Sequence, residues 1–226
     1  MFKSLINLFF PKACAGCASF LLSTENVICT ACRHEIPLTN HHKSKKNETY
    51  AKFYGQIDIE FASALFYFHK KGIVQELIHK LKYKGHQEIG EAIGNWYALE
   101  LKTVKELETI DYIIPVPLHK KRLKERGYNQ VTKFGEALSK NLNCQFNTEL
   151  LERKIYSKSQ ISKNISGRSA VSEQVFNVNF DESYHHKHFL LIDDVLTTGS
   201  TLVACCKELQ KIEGAKISIV CMAFTE

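Results

Sequence analysis

No stretch of this chain approaches the length of a membrane span. The amino terminus, MFKSLINLFFPKAC, is apolar but short. It lacks a sustained apolar run and a small-residue cleavage site, so it does not read as a signal peptide. The pattern GxxxxGK[ST] is absent, which disfavours a nucleoside-triphosphatase. Internal repeats and low-complexity tracts are also lacking. What remains is ordinary for a soluble globular protein: 226 residues, 44% hydrophobic and 24% charged, with a formal charge of +6. That length allows one large domain, or one domain with a small module. The mild basicity suits phosphate or nucleic-acid ligands without selecting them.

Eight cysteines divide unevenly. Cys14, Cys17, Cys29 and Cys32 form a CxxC-x11-CxxC pattern. Cys144, Cys205, Cys206 and Cys221 lie far downstream in or beside apolar stretches and read as small core residues. A secreted disulfide framework would not divide its cysteines this way, so a reduced, cytoplasmic protein is expected. Two CxxC turns offer four thiolates, a closed tetrahedral shell for Zn²⁺ with no open position for catalysis. Its role would be structural. A thioredoxin-like use would need one CxxC in a βαβ setting, which does not precede Cys14.

Phe2, Leu5, Ile6 and Phe9 at helical spacing lead into this module, and 41–48 (HHKSKKNE) reads as an exposed linker. Residues 1–48 are therefore expected to be the zinc module and linker, and 49–226 the main domain. In the latter, strands are expected at 61–68, 112–116, 149–155, 175–180, 189–192 and 217–224. Val74, Leu77, Ile78 and Leu81 mark a helix, continued by Ile89, Ile93, Trp96 and Tyr97 after a break at Gly85. Val131, Phe134, Leu138 and Leu142 mark another, and Leu202, Cys206 and Leu209 a third, stopped at Gly214. Apolar strands alternating with helices predict an α/β fold: a mostly parallel sheet flanked by helices.

The stretch 189–201, FLLIDDVLTTGST, carries chemical logic. A buried strand delivers Asp193 and Asp194 to its carboxyl edge, where open α/β sheets bind ligands. Thr197, Thr198, Gly199, Ser200 and Thr201 then offer hydroxyls and backbone N–H groups just before a helix, a ready phosphate cradle. Two carboxylates beside such a cradle suit a sugar phosphate, because they can accept hydrogen bonds from ribose hydroxyls. This stretch resembles the phosphoribosyl-pyrophosphate (PRPP) motif of type I phosphoribosyltransferases. The resemblance implies that Asp193 and Asp194 hold the ribose and serve catalysis, and that residues 197–201 hold the 5′-phosphate.

PRPP also carries a pyrophosphate. Between His119 and Arg126 stand five Lys or Arg and one Glu, including Lys120, Lys121, Arg122 and Arg126. A second basic stretch, 153–168, again holds five, including Arg153 and Arg168, and reads as mobile. Their chain order matches the pyrophosphate and flexible loops of those enzymes, where Lys, Arg and Mg²⁺ would stabilise the leaving group. Lys80, Lys82 and Lys84 are the weaker candidates: they could line the site or keep a helix soluble.

The order Phe9-Phe10-Pro11, the zinc cysteines, LIHKLKYKG, IIPVPLHKKRLKERGYNQ and LLIDDVLTTGST resembles the competence protein F family along nearly the whole chain. Arg153, Gln160 and Arg168 fit that family's R…Q…R spacing, whereas Val171 stands where the family usually has asparagine. The resemblance implies a type I phosphoribosyltransferase fold with an amino-terminal zinc module. It also implies a cytoplasmic protein that binds PRPP and handles single-stranded DNA during natural transformation, alongside competence proteins such as a helicase. Tyr50, Phe53, Tyr54, Tyr83 and Tyr128 lie near basic residues and could stack bases. Two other readings stand beside it: an active phosphoribosyltransferase in nucleotide synthesis or salvage, and a zinc-stabilised interaction module without a ligand. No acceptor-binding motif accompanies the PRPP half.

Overall fold

Nine-residue strands at His188–Leu196 (β6) and Lys216–Phe224 (β7) form the centre of the sheet. The computed structural model describes residues 12–153 and 175–226. Phe61–Tyr67 (β1), Tyr112–Pro115 (β2) and Gln145–Phe146 (β3) complete five strands in the order β1-β7-β6-β2-β3, every pair parallel. Alternation along β6 explains its continuous apolar run. Leu190 and Ile192 enter one buried cluster, and Phe189 and Leu191 enter the other. The predicted α/β class with a parallel sheet is what forms.

The first cluster is roofed by helices Ile73–Tyr83 (α3), Glu88–Leu101 (α4) and Thr132–Leu142 (α6). Gly85, in the left-handed region, separates α3 from α4 where the break was expected. Gly94 lets α4 meet α6 closely: a Cβ there would stand 2.7 Å from the Phe134 carbonyl oxygen. The other cluster packs under helix Ser200–Leu209 (α7), with Phe53 among its members. Short helices Thr30–Glu35 (α1) and Glu48–Ala51 (α2) precede the sheet. Cys14, Ile28 and Cys32 belong to the same buried cluster as Leu77 and Ile93. Lys80 Nζ donates to the Ala15 carbonyl at 2.8 Å, fixing the cysteine loops on α3.

Three expectations are corrected. The polar loop expected after β2 contains helix Lys120–Arg126 (α5), started by His119 Nδ1 accepting from the Lys121 N–H at 3.1 Å and ended at Gly127. Its basic face hid it, because no apolar periodicity marks it. The segment 41–48 is not simply an exposed linker. His41 is 5% exposed, shares a hydrogen bond with Thr49 at 2.8 Å, and packs edge-on against Tyr67 and Phe224. Finally, Leu151–Arg153 (β4) and Phe176–Val178 (β5) pair antiparallel with each other, apart from the main sheet. The parallel sheet is completed by β3, too short to show a period. Phe2 to Phe10, Gln160, Arg168 and Val171 lie outside the described residues.

Candidate functional site

The acidic pair lies within β6 rather than beyond it, with Asp193 in register with Cys221. Successive side chains of a strand face opposite sides, so the two carboxylates serve different surroundings. Asp193 shares a small hollow of about 60 Å³ with Thr197, Thr198, Gly199, Ser200 and Thr201. Asp194 turns toward α3 and the start of α6. There Lys82 Nζ stands 2.9 Å from its Oδ2, and Gln130 Nε2 donates to the same oxygen at 2.5 Å. Burial, and then the neighbouring Asp194 charge, push the Asp193 carboxyl up to about 7. The Asp194 N–H donating to Asp193 Oδ1 at 2.8 Å opposes the rise.

Residues 197–201 form the loop between β6 and α7. Gly199 adopts φ +77 and precedes the first residue of α7. Its lack of a Cβ also spares Phe53, whose ring edge would lie 3.2 Å from one. Thr198 and Ser200 share a hydroxyl hydrogen bond at 3.1 Å, and Thr197, Thr198, Ser200 and Thr201 are exposed. The first turn of α7 aims unsatisfied N–H groups and the positive end of its dipole at this hollow.

On the other side of Asp194 lies a basic cleft of about 330 Å³, lined by Lys82, Tyr83, Gly85, Arg122, Glu125, Arg126 and Tyr128. Every residue of RGYNQ has a task here. Arg126 lies 5.1 Å from the Tyr83 ring centroid and donates to Gln130 Oε1 at 2.6 Å. Gly127 closes α5 in the left-handed region. Tyr128 donates its hydroxyl to the Leu81 carbonyl, and Asn129 donates to the Val116 carbonyl at 3.0 Å. Gln130 completes a chain of contacts from Tyr83 through Arg126 to Asp194.

Of the predicted basic residues, Arg122 and Arg126 reach this cleft. Lys120 and Lys121 are exposed on α5, the latter 3.9 Å from Glu125. Arg153 lies over the Phe176 ring at 5.3 Å. Among the aromatic candidates Phe53 is core, while Tyr83, 63% exposed, borders the cleft. Lys82 and Gln130 are the site residues that sequence reasoning underweighted. Lys82 stands in the lysine-rich LIHKLKYKG, and Gln130 is the last residue of RGYNQ. Larger hollows occur near Glu149 and Tyr184, about 700 Å³, and between Glu25 and Trp96, about 400 Å³. Neither brings an acidic pair to a phosphate cradle.

The four amino-terminal cysteines form a second centre. Their sulfurs all lie within 4.8 Å of one another, and Cys17 and Cys29 are 3.7 Å apart. Tetrahedral bonds of about 2.3 Å to a zinc ion would separate sulfurs by about 3.8 Å, so the donor set fits a structural metal. The N–H groups of Gly16 and Cys29 both donate to Cys14 Sγ at 3.3 Å. The Ser19 hydroxyl and amide pull the exposed Cys17 thiol down to about 6, as suits a ligand thiolate. Burial and the neighbouring sulfurs push Cys32 up, a burden that a metal cation relieves.

Comparison with known proteins agrees with this architecture. The family described as "Phosphoribosyl transferase domain" matches residues 133–225. The DNA utilization protein YhgH of Shigella flexneri is 30% identical over 152 residues, covering 66% of this chain and 66% of its own length. The chain thus spans just under two thirds of that relative. Competence protein F of Haemophilus influenzae is 25% identical over 93% of this chain and 96% of its own. Adenine phosphoribosyltransferase from Saccharomyces cerevisiae superimposes with a TM-score of 0.39 at 14% identity, covering 63% of this chain and 72% of that one. The chain thus combines a type I phosphoribosyltransferase fold and a phosphoribosyl transferase domain with an amino-terminal four-cysteine cluster, and it is similar along nearly its whole length to competence protein F.

Proposed function

We propose that this protein binds PRPP with Mg²⁺ and handles single-stranded DNA in the cytoplasm during natural transformation, held together by a structural zinc ion. One observation carries the ligand. The adjacent Asp193 and Asp194 face a phosphate cradle on one side and a basic cleft on the other. PRPP has the matching parts: a 5′-phosphate for residues 197–201, a ribose diol for the carboxylates, and a pyrophosphate for Arg122, Arg126 and Lys82. Bound Mg²⁺ would supply counter-charge to the pyrophosphate. Arg168 belongs to the same proposal by its place in the R…Q…R spacing.

The relatives' names, competence and DNA utilization, support the DNA role, as does a basic cleft edged by the exposed Tyr83. Eight free cysteines, four of them gathered as ligands, support a reducing compartment and zinc. Competence proteins such as a helicase are the protein partners this role calls for. The deciding experiment is thermal melting with and without Mg²⁺–PRPP. A real site raises Tm because binding adds stability by mass action, about 2.7 kcal/mol at a hundredfold excess over Kd. An unshifted Tm would leave only the zinc-stabilised module. Salt-dependent binding to labelled single-stranded oligonucleotides tests the DNA role.

A second reading, an active phosphoribosyltransferase, draws on the same acidic pair. The raised Asp193 carboxyl could hold or release a proton near neutrality beside the ribose. Pyrophosphate release from PRPP across a panel of bases and amines tests it, and silence across the panel would remove it.

A further inference from the structure

The free site is self-occupied at one atom. Asp194 Oδ2 already receives the Lys82 ammonium at 2.9 Å and the Gln130 amide at 2.5 Å, so a ribose diol would meet a carboxylate that is already engaged. Asp194 is only 5% exposed, so losing either partner without replacement is costly. The two partners differ in freedom. Gln130 is held from behind, since Arg126 donates to its Oε1 at 2.6 Å and so fixes its Nε2 on Asp194. Among the described residues the Lys82 ammonium has no second partner, and it stands on a flexible stem at the edge of the basic cleft. The sole acidic residue lining that cleft, Glu125, lies within 3.9 Å of Lys121.

A diphosphate entering the cleft brings more negative charge than one carboxylate, and it brings it to Lys82, Arg122 and Arg126 together. The movable cation is the one that transfers. Asp194 Oδ2 then keeps its Gln130 bond but loses its counter-ion contact, and a buried carboxylate in that state calls for new donors. Ribose hydroxyls are such donors. We propose that Lys82 is a positioning residue that masks Asp194 in the free protein and moves to the diphosphate half of the ligand. Diphosphate binding in the cleft and ribose-phosphate binding on the acidic pair are thereby positively coupled. This inference rests on the PRPP reading and adds a mechanism by which the site favours the intact compound over either half.

Calorimetry with the two halves tests it, using ribose 5-phosphate and magnesium pyrophosphate as probes on the full chain. Saturating pyrophosphate should tighten ribose 5-phosphate about tenfold, and the reverse titration must give the same factor. In Lys82→Met the factor falls to about one, while ribose 5-phosphate alone binds more tightly than to the wild type because Asp194 is no longer masked. A lysine that only added charge to the cleft would leave ribose 5-phosphate binding unchanged and the halves repelling each other. Lys82→Gln keeps a donor near Asp194 without the cation, and it must lose the coupling too, which separates this effect from a folding defect in the methionine variant. Equal coupling in wild type and variants overturns the proposal, as does its absence from a wild type that still binds PRPP. A wild type that binds neither PRPP nor its halves removes the PRPP reading itself.

Discussion

Gln130 and Asp194 stand 64 residues apart in sequence, yet the amide of one donates to the carboxylate of the other at 2.5 Å. The bond joins the end of RGYNQ, at the start of α6, to the acidic pair on β6. It makes the basic helix α5 and the carboxylates one structure, because Arg126 closes the chain at 2.6 Å from Gln130 Oε1.

Gln130→Leu should therefore do two things. It leaves Arg126 and Asp194 short of a partner in a buried setting, at a cost of about 1–3 kcal/mol in stability, read as a lower urea midpoint with an unchanged m value. It should also weaken PRPP–Mg²⁺ measured by calorimetry, because the carboxylate loses the group that orients it. An unaltered midpoint would mean that Arg126 and Asp194 find other partners in the variant.

The Asp193 carboxyl gives a pH signature. Its folded value, about 7, lies above the ordinary carboxylate range. A raised value stabilises the fold fully below the ordinary carboxylate pKa, and this contribution is lost as pH rises through about 7. The ligand-free protein should lose stability over that window. Asp193→Asn removes the dependence, so its Tm should exceed the wild type's more at about pH 8 than at about pH 5, by about 2–4 °C for each kcal/mol relieved. Parallel curves for the two proteins would show that the carboxyl ionises freely in the fold.

The same residue with its neighbour tests the proposed ligand. Asp193→Asn combined with Asp194→Asn keeps the size and shape of both side chains but removes both charges that, in the proposed complex, accept from the ribose diol. PRPP–Mg²⁺ binding should vanish in calorimetry while the circular dichroism spectrum stays native. Unchanged affinity would move the ligand away from β6.

The legibility of this molecule follows the range of its signals. Leu190 to Ile192 and Leu202 to Leu209 read correctly because burial on both faces of a strand, or one face of a helix, leaves a local periodic pattern. The loop at 197–201 was legible as a strand-to-helix connection because its residues are contiguous. Lys82 did not, since its role depends on Asp194 across the fold and its sequence setting is one of three lysines in six residues. Helix α5 was missed for want of an apolar stripe, with Leu123 its lone apolar residue and still exposed. His41 was assigned to solvent because its neighbours are polar, yet the rings of Tyr67 and Phe224 enclose it.

Cys17 offers the sharpest test of the zinc centre, because it is exposed whereas Cys14, Cys29 and Cys32 are buried. Changing an exposed thiol to a hydroxyl away from any special feature alters stability within about 0.5 kcal/mol. If Cys17 is a metal ligand, Cys17→Ser removes one of four thiolates from a shell that closes two loops and holds them on α3, and the cost rises to several kcal/mol. The variant should bind less than stoichiometric zinc by elemental analysis and melt well below the wild type. A chelator under reducing conditions should lower the wild-type Tm toward that of the variant and leave the variant nearly unmoved. Because Cys14 and Cys32 pack in the same buried cluster as Leu77 and Ile93, the loss should spread to α3 and through Lys82 to Asp194, weakening any binding of PRPP–Mg²⁺ from a distance. A Cys17→Ser protein with wild-type Tm and full zinc content would exclude that thiol from the shell.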